Sequence, residues 1–219
     1  MRKFRLLLVE DDKHTNHELL RLLVAEFPGS RVASAMTAAQ ARQIVQASVQ
    51  EPFDLAILDF QIPEREGVNA EIDPRLCELI RASARNTKVA HITAFPKDPL
   101  VKKHLNEFHQ DWRDPQAIVV SKLNTDWPEQ LLRHMKTYLF GLDIEERLGD
   151  LVTVSSPDNS QRLYRTGTHS GRGSLTMEVA QLCRDIARHW DDLDERTQGR
   201  IKSVVHVNAD VKPVRVSLL

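Results

Sequence analysis

The sequence is most informative at Phe4-Arg5-Leu6-Leu7-Leu8-Val9-Glu10-Asp11-Asp12, where a short apolar run ends in three acids. A short apolar run that is bounded by polar residues is typical of a buried β-strand. Residues 14–26 then place leucines and a valine at helical spacing, and Phe27-Pro28-Gly29 ends that pattern. The segment therefore predicts a strand followed by a helix.

The same alternation continues through the first 140 residues. Further apolar strands are predicted at 30–35, 53–58, 89–92 and 117–120. Further helices are predicted at 38–48, 74–85, 99–112 and 127–139. Strands that are separated by helices pair in parallel with right-handed crossovers, and nearly continuous apolar strands fit a sheet covered on both faces. We therefore expect an α/β fold with a doubly wound five-stranded parallel sheet flanked by helices.

Composition excludes several classes of protein. The 219 residues contain 30 Lys+Arg and 31 Asp+Glu, a net charge of −1, which argues against a mainly electrostatic nucleic-acid binder. No window approaches 18 consecutive apolar residues, so we expect no membrane span. The two cysteines, Cys77 and Cys183, are far apart and form no C-x-x-C motif. This usage favours the reducing cytoplasm over a disulfide scaffold.

Functional side chains follow the predicted strands at their carboxyl ends. Glu10 and Asp11 follow the first strand, Asp59 the third, Thr93 the fourth and Lys122 the fifth. Ligands of doubly wound sheets bind outside these strand ends, so the side chains should converge on one crevice. A few carboxylates together with several waters and a phosphate oxygen form the ligand set that Mg²⁺ prefers, and a carboxylate can act as a nucleophile that forms an aspartyl phosphate. Mg²⁺, an ammonium and a hydroxyl would together bind the oxygens of a transferring phosphoryl group.

This arrangement closely resembles the receiver domain of two-component response regulators, over roughly residues 3–140. The matching motifs are Leu7-Leu8-Val9-Glu10-Asp11-Asp12, Leu55-Ala56-Ile57-Leu58-Asp59-Phe60-Gln61-Ile62-Pro63 with Gly67, Ile92-Thr93-Ala94 and Ser121-Lys122. The resemblance implies the flavodoxin-like strand order 2-1-3-4-5. It also implies a bacterial phosphoprotein of a two-component system or phosphorelay, which accepts a phosphoryl group from a histidine kinase or a histidine phosphotransfer protein and switches conformation to control a protein partner.

The resemblance also implies a role for each site residue. Asp59 would be the phosphoacceptor, Thr93 the switch hydroxyl and Lys122 the ammonium that contacts the phosphoryl group. Asp11 and Asp59 would bind Mg²⁺ directly, Glu10 through water, and Gln61 through its backbone carbonyl. The chain would not be an enzyme beyond slow self-dephosphorylation of Asp59.

The sequence departs from the family pattern in three places. Val119 stands where the family has an aromatic switch residue, so that role is absent or moved, for instance to Phe95. Leu123 replaces the usual proline, and the segment from Thr93 to Lys122 is longer than is typical. We interpret the histidines of the chain that lack metal-ligand spacing as surface residues: His14, His104 and His109.

Two alternative classes remain at this point. A haloacid-dehalogenase-type enzyme also uses an aspartyl nucleophile, but it needs a second aspartate where this chain has Gln61. A receiver-like module could instead be used constitutively for protein interaction, although the acid set of an active receiver is present.

Residues 141–219 form a second predicted region, a small α+β unit with 11 basic and 12 acidic residues. An apolar stripe at helical spacing from Leu175 to Trp190 predicts a helix that serves as core or as a dimer seam. Alternating valines around residues 205–207 and 214–218 predict a terminal hairpin. Acids at 191–195 crowd the candidate helix pair and would repel DNA phosphates. We therefore expect an output or interaction role, with homodimerisation or partner docking, and DNA binding by a transcriptional regulator as the alternative.

Overall fold

The computed structural model describes residues 3–72, 74–83, 87–110, 118–149, 151–155, 161–165, 175–203 and 205–218. It divides into two compact units, one of Lys3–His134 and one that includes Met135–Leu219. The division falls within helix α5 (Trp127–Gly149), a few residues before the predicted boundary at residue 140. Within the described part of the chain, no helix has both the length and the apolar character that crossing a bilayer requires.

The first unit is built on a five-stranded parallel sheet. The described strands of this unit, in chain order, are β1 (Arg5–Val9), β2 (Arg31–Ala35), β3 (Leu55–Asp59), β4 (Gln61–Pro63), β5 (Ala70–Ile72), β6 (Lys88–Thr93) and β7 (Ile118–Ser121). Five of them form the sheet, and β4 and β5 do not belong to it. The sheet has the order β2-β1-β3-β6-β7, and every pairing in it is parallel. This confirms the doubly wound fold and the order 2-1-3-4-5, because β4 and β5 form a separate hairpin.

Helices connect these strands, and local signals explain where two of them begin. They are α1 (Lys13–Glu26), α2 (Ala38–Ala47), α3 (Pro74–Ser83), α4 (Pro99–Gln110) and α5. The Asp12 carboxylate accepts a hydrogen bond of 2.8 Å from the Thr15 N–H, and Thr37 caps α2 in the same way through Gln40. Such caps satisfy N–H groups that have no partner inside the helix. The strands between the helices are almost fully buried at Leu6, Leu7, Leu8, Leu55, Ala56 and Ile57.

Two features of this unit differ from the sequence prediction. The antiparallel hairpin of β4 and β5 follows Asp59 directly, where no strand is predicted. Its strands of three residues are too short to give a clear alternation of apolar and polar side chains. Helix α5 continues to Gly149, well past the predicted end at residue 139, and its apolar side is buried at Leu139, Phe140 and Ile144.

The second unit has the predicted α+β composition. It contains β8 (Leu151–Ser155), β9 (Gln161–Arg165), α6 (Leu175–His189), a 3₁₀ turn at Trp190–Asp192, α7 (Glu195–Lys202), β10 (Val205–Asn208) and β11 (Arg215–Leu218). The predicted terminal hairpin is confirmed as the antiparallel pair β10–β11. In α6, Leu182 and Ile186 are buried, as is Trp190 after it, which favours a core role for the apolar stripe.

Candidate functional site

Three carboxylates converge at the carboxyl edge of the parallel sheet. Glu10 and Asp11 follow β1, and Asp59 is the last residue of β3, which pairs with β1. One carboxylate oxygen from each residue lies within 4.8 Å of the other two. Burial of these charges side by side is unfavourable unless a cation compensates them. The predicted convergence of Glu10, Asp11 and Asp59 is therefore present in the folded chain.

Lys122 supplies a positive charge to this cluster. It follows β7, and its backbone N–H donates a 2.7 Å hydrogen bond to the Thr93 carbonyl oxygen, which holds the start of the loop against β6. Its Nζ lies 2.6 Å from Glu10 Oε2 and also forms an ion pair with Asp59 Oδ2. The Lys122 side chain is 15% exposed, the Asp59 side chain 10% and the Glu10 side chain not at all. One ammonium thus bridges two carboxylates, and all three groups are almost fully shielded from solvent.

Glu10 is the most firmly held member of the cluster. Its Oε1 accepts a 3.2 Å hydrogen bond from the Asp12 N–H, and its backbone carbonyl accepts one of 2.9 Å from Asn16 Nδ2. The Asn16 amide oxygen in turn accepts from the Ser34 hydroxyl on β2. These contacts orient the Glu10 carboxylate through α1 and β2. No local motif in the sequence marks Asn16 or Ser34, so neither residue could be predicted as part of the site.

Burial dominates the electrostatics of the cluster. It raises the pKa of Glu10 from 4.5 to about 7, and the negative charge of Asp59 adds to this, while Lys122 opposes it. Burial likewise raises the pKa of Asp11, to which the charge of Asp59 contributes. Burial alone would lower the pKa of Lys122, but its pairing with Asp59 and Glu10 outweighs this and raises it. The raised pKa values of Glu10 and Asp11 mean that both are easier to protonate than free acids, and a bound cation would lower both pKa values again.

Thr93 and Gln61 lie next to these charges. Thr93 ends β6, one residue after the partner of Asp59 in the β3–β6 pairing, and is buried. Its hydroxyl accepts a 2.9 Å hydrogen bond from the Phe95 N–H, which fixes the first turn of the following loop. The Gln61 N–H donates a 3.3 Å hydrogen bond to Asp59 Oδ1. The structure thus places both residues at the predicted edge, while their roles toward phosphate and metal stay predictions.

The arrangement can bind a hard cation and present a carboxylate beside an ammonium. Carboxylate and carbonyl oxygens are the ligands that Mg²⁺ takes in proteins, usually together with water and phosphate oxygens. Glu10, Asp11 and Asp59 supply oxygens close enough together for one ion. The donor set therefore fits Mg²⁺.

Comparison with known families agrees with this geometry. The family model of the response regulator receiver domain matches residues 6–111, a segment that runs from within β1 past β6 and includes the site residues Glu10, Asp11, Asp59 and Thr93. Residues 6–111 therefore form a receiver domain. The match decides between this family and the haloacid dehalogenases in favour of the receiver.

Individual relatives of the receiver domain are distant. The chain is 25% identical over 205 residues to the sensor protein TorS of Escherichia coli, an alignment that covers 83% of this chain. The chain spans only 22% of the length of that relative. The N-terminal domain of an uncharacterized protein from Wolinella succinogenes superposes with a TM-score of 0.50 at 16% identity, covering 66% of this chain and 99% of that one, which shows a shared fold. The signal receiver domain of an HD domain-containing protein from Pseudomonas fluorescens superposes with a TM-score of 0.49 at 21% identity. The superposition covers 63% of this chain and 95% of that one.

The exposure of individual side chains in the receiver domain differs from the sequence prediction at one histidine. His104 is only partly exposed, because its Nε2 atom is buried and its ring contacts the rings of Phe60 and His91. His109 lies where side chains are outside the described set, so its predicted exposure is not addressed. Val119, in the place of the family's aromatic residue, is 37% exposed, and Phe95 is 52% exposed. An exposed aromatic side chain is therefore present two residues after Thr93, on the loop that follows β6.

Proposed function

We propose that this receiver domain accepts a phosphoryl group on Asp59 in a Mg²⁺-dependent reaction and changes conformation to control a protein partner. The observation that supports the proposal best is the contact of Asp59 with Lys122 beside the carboxylates of Glu10 and Asp11. Phosphoryl transfer requires positioning and charge neutralisation more than covalent chemistry by the protein, and these four residues can provide both.

The phosphodonor in this proposal is the phosphohistidine of a histidine kinase or phosphotransfer protein. An Asp59 carboxylate oxygen attacks phosphorus, the phosphorus–nitrogen bond breaks, and the donor imidazole leaves with the electron pair of that bond. Asp11, Asp59 and the Gln61 carbonyl would hold Mg²⁺ directly and Glu10 through water, and the ion would supply charge neutralisation. The Asp59 phosphate later hydrolyses slowly, and the chain acts on no other substrate.

Lys122 and Thr93 carry the conformational response in this proposal. Phosphorylation turns the Asp59 carboxylate into an acyl phosphate with three further oxygens, so Lys122 exchanges its contact with Asp59 Oδ2 for one with a phosphoryl oxygen. The Thr93 hydroxyl, which now accepts from the Phe95 N–H, donates its own proton to another phosphoryl oxygen. Thr93 ends β6 and Lys122 follows the neighbouring strand β7, so the loops after both strands shift toward Asp59, which favours one of two existing conformations.

The second unit is the proposed output and interaction module, which acts as a homodimer contact or docks a partner protein. Asp191 and Glu195 are exposed around the junction of α6 and α7, where a DNA-binding helix pair would need positive charge. We propose a location in the bacterial cytoplasm, where two cysteines without C-x-x-C spacing stay reduced.

Treatment with Mg²⁺ and a small-molecule phosphodonor such as acetyl phosphate tests the proposal. Intact-mass analysis should show one phosphoryl group on the full chain, and beryllofluoride with Mg²⁺ should change its amide spectrum. Asp59→Asn should abolish both effects. Asp12→Asn is the matched control, because it removes a neighbouring charge while asparagine still caps α1. Modification of the Asp59→Asn chain, or none of the native chain with Mg²⁺ present, would contradict the proposal.

A further inference from the structure

A second cluster of metal-ligand side chains lies inside the receiver domain and shares no residue with the acidic edge. Cys77 on α3, His91 on β6 and His104 on α4 each direct one ligand atom to a common point, with all three atoms within 4.8 Å of one another. Among the described residues, only this group and the three carboxylates bring together His, Cys, Asp or Glu side chains closely enough for a metal ion.

The fold explains how three distant segments meet. Cys77 belongs to the apolar core between the sheet and helices α2 and α3, and so does Val89 of β6. Alternate residues of a strand face the same side, so His91 lies on the Val89 face of the sheet. The His91 Nε2 atom is 3.9 Å from the Cys77 sulfur. His104 reaches the same place from α4, with its ring centroid 5.7 Å from that of His91.

Phe60 forms an aromatic wall beside this cluster. Its ring stacks on the His91 ring at 4.4 Å between centroids and 24° between planes, and it meets the His104 ring edge-on at 5.6 Å. Phe60 is itself 4% exposed and follows Asp59 directly in the chain. The stacked ring restricts how the imidazole of His91 can rotate, so its nitrogen stays directed toward the sulfur of Cys77.

We propose that Cys77, His91 and His104 bind one Zn²⁺ ion. A thiolate with two imidazoles suits a borderline-soft transition metal, whereas the all-oxygen set at the acidic edge suits Mg²⁺. In a four-coordinate zinc site, bonds of about 2.3 Å to sulfur and about 2.0 Å to nitrogen place ligand atoms roughly 3.3–3.6 Å apart. The sulfur of Cys77 and Nε2 of His91, now 3.9 Å apart, need a contraction of about 0.4 Å, and no pair of ligand atoms needs more than about 1.5 Å, which side-chain rotations can provide.

The bond balance of this site is simple. As the sulfur–zinc bond forms, the Cys77 thiol releases its proton to solvent, and both imidazoles bind in their neutral form. Water completes the fourth position. The ion would connect α3, β6 and α4 at one point, and this role is independent of whether Asp59 accepts phosphate.

Cobalt substitution of the full chain tests the site. Metal-free protein is titrated with Co²⁺ under reducing conditions with Mg²⁺ in excess, which occupies the acidic cluster with the harder ion. We expect one equivalent of Co²⁺ to produce a thiolate-to-cobalt charge-transfer band and the intense visible bands of four-coordinate cobalt. Addition of one equivalent of Zn²⁺ should remove these bands.

Variants identify the ligands. Cys77→Ser should eliminate the charge-transfer band, and Cys183→Ser, the other cysteine of the chain, should retain it. His104→Ala should weaken Co²⁺ binding by at least the roughly tenfold loss that follows removal of an outer partner of a metal ligand. Asp59→Asn should keep the band, which separates this site from the phosphoacceptor.

Three results would overturn the zinc site. In the first, the native chain shows no charge-transfer band at saturating Co²⁺. In the second, the band is lost in Cys183→Ser and retained in Cys77→Ser. In the third, His104→Ala binds Co²⁺ with unchanged affinity. The first and third remain decisive if the Cys77→Ser chain fails to fold.

Discussion

Replacing Lys122 by methionine removes the ammonium between Glu10 and Asp59 and keeps a side chain of similar length. In the native chain this ammonium contacts both carboxylates, and all three side chains are at least 85% covered. Removal of one partner from a buried ion pair typically costs about 3–5 kcal/mol, because the remaining charge loses its compensation. We expect Lys122→Met to lower the free energy of unfolding of the metal-free protein by about this amount at slightly alkaline pH.

The loss should shrink as the pH falls. Glu10 has a pKa of about 7 in the folded state, and Lys122 lowers that value by its hydrogen bond and charge. Without the ammonium, the Glu10 pKa rises further, so the carboxyl is neutral at mildly acidic pH and has no uncompensated charge. The variant therefore loses stability as pH rises through the raised pKa of Glu10. Mg²⁺ should restore part of the loss, since it binds the same carboxylates.

Urea denaturation followed by circular dichroism, at about pH 5.5 and about pH 8 with a chelator and then with Mg²⁺, measures these effects. Lys212→Met is the matched control, because its ion pair with Asp191 is exposed and should contribute no more than about 1 kcal/mol. An equal loss at both pH values, or a loss no larger than that of the control, would refute the idea that Lys122 compensates buried charge.

Three further substitutions test neighbouring contacts. Glu10→Gln should stabilise the metal-free protein above neutral pH by up to about 3 kcal/mol and flatten its stability between pH 4.5 and about 7, because the native carboxyl is harder to ionise folded than unfolded and stability falls as pH rises through that range. Denaturation across pH checks this, and calorimetry should show weaker Mg²⁺ binding. Thr93→Ala removes the acceptor of the Phe95 N–H. It should lower the free energy of unfolding by about 1 kcal/mol and abolish the spectral response to beryllofluoride, whereas Thr93→Ser should keep the stability and the response. Asp12→Ala removes the cap of α1 and should lower stability by about 1 kcal/mol in thermal melts, with phosphorylation of the chain unchanged.

The parallel sheet was predictable because its signals are local. Each of its strands except β2 is predicted from an apolar run with a polar residue after it, and the structure moves the predicted strand ends by no more than two residues. The acidic edge was predictable for the same reason. Glu10, Asp11, Asp59, Thr93 and Lys122 each come at or after a strand end, and a parallel sheet brings those ends to one edge.

The end of α5 and the cluster of Cys77, His91 and His104 could not be predicted, because both depend on contacts between segments that are distant in the sequence. The continuation of α5 past Gly141 could not be inferred, because glycine weakens a helical pattern. In the fold, a side chain at Gly141 would meet Thr197 of α7 at 3.6 Å, and the turns after it have apolar residues to bury. Cys77, His91 and His104 are 14 and 13 positions apart, a spacing that no helix or strand brings together, so only tertiary structure unites them.

Phe60 has a consequence for how the receiver can be regulated. A peptide bond joins Phe60 to Asp59, whose side-chain carboxylate belongs to the acidic edge, and the Phe60 ring stacks on the His91 ring. If a ligand on the histidine side favours one position of this ring, thermodynamic reciprocity requires that occupancy of the carboxylate side change that ligand's affinity by the same factor. A cell could then tune its signalling through the supply of a trace nutrient.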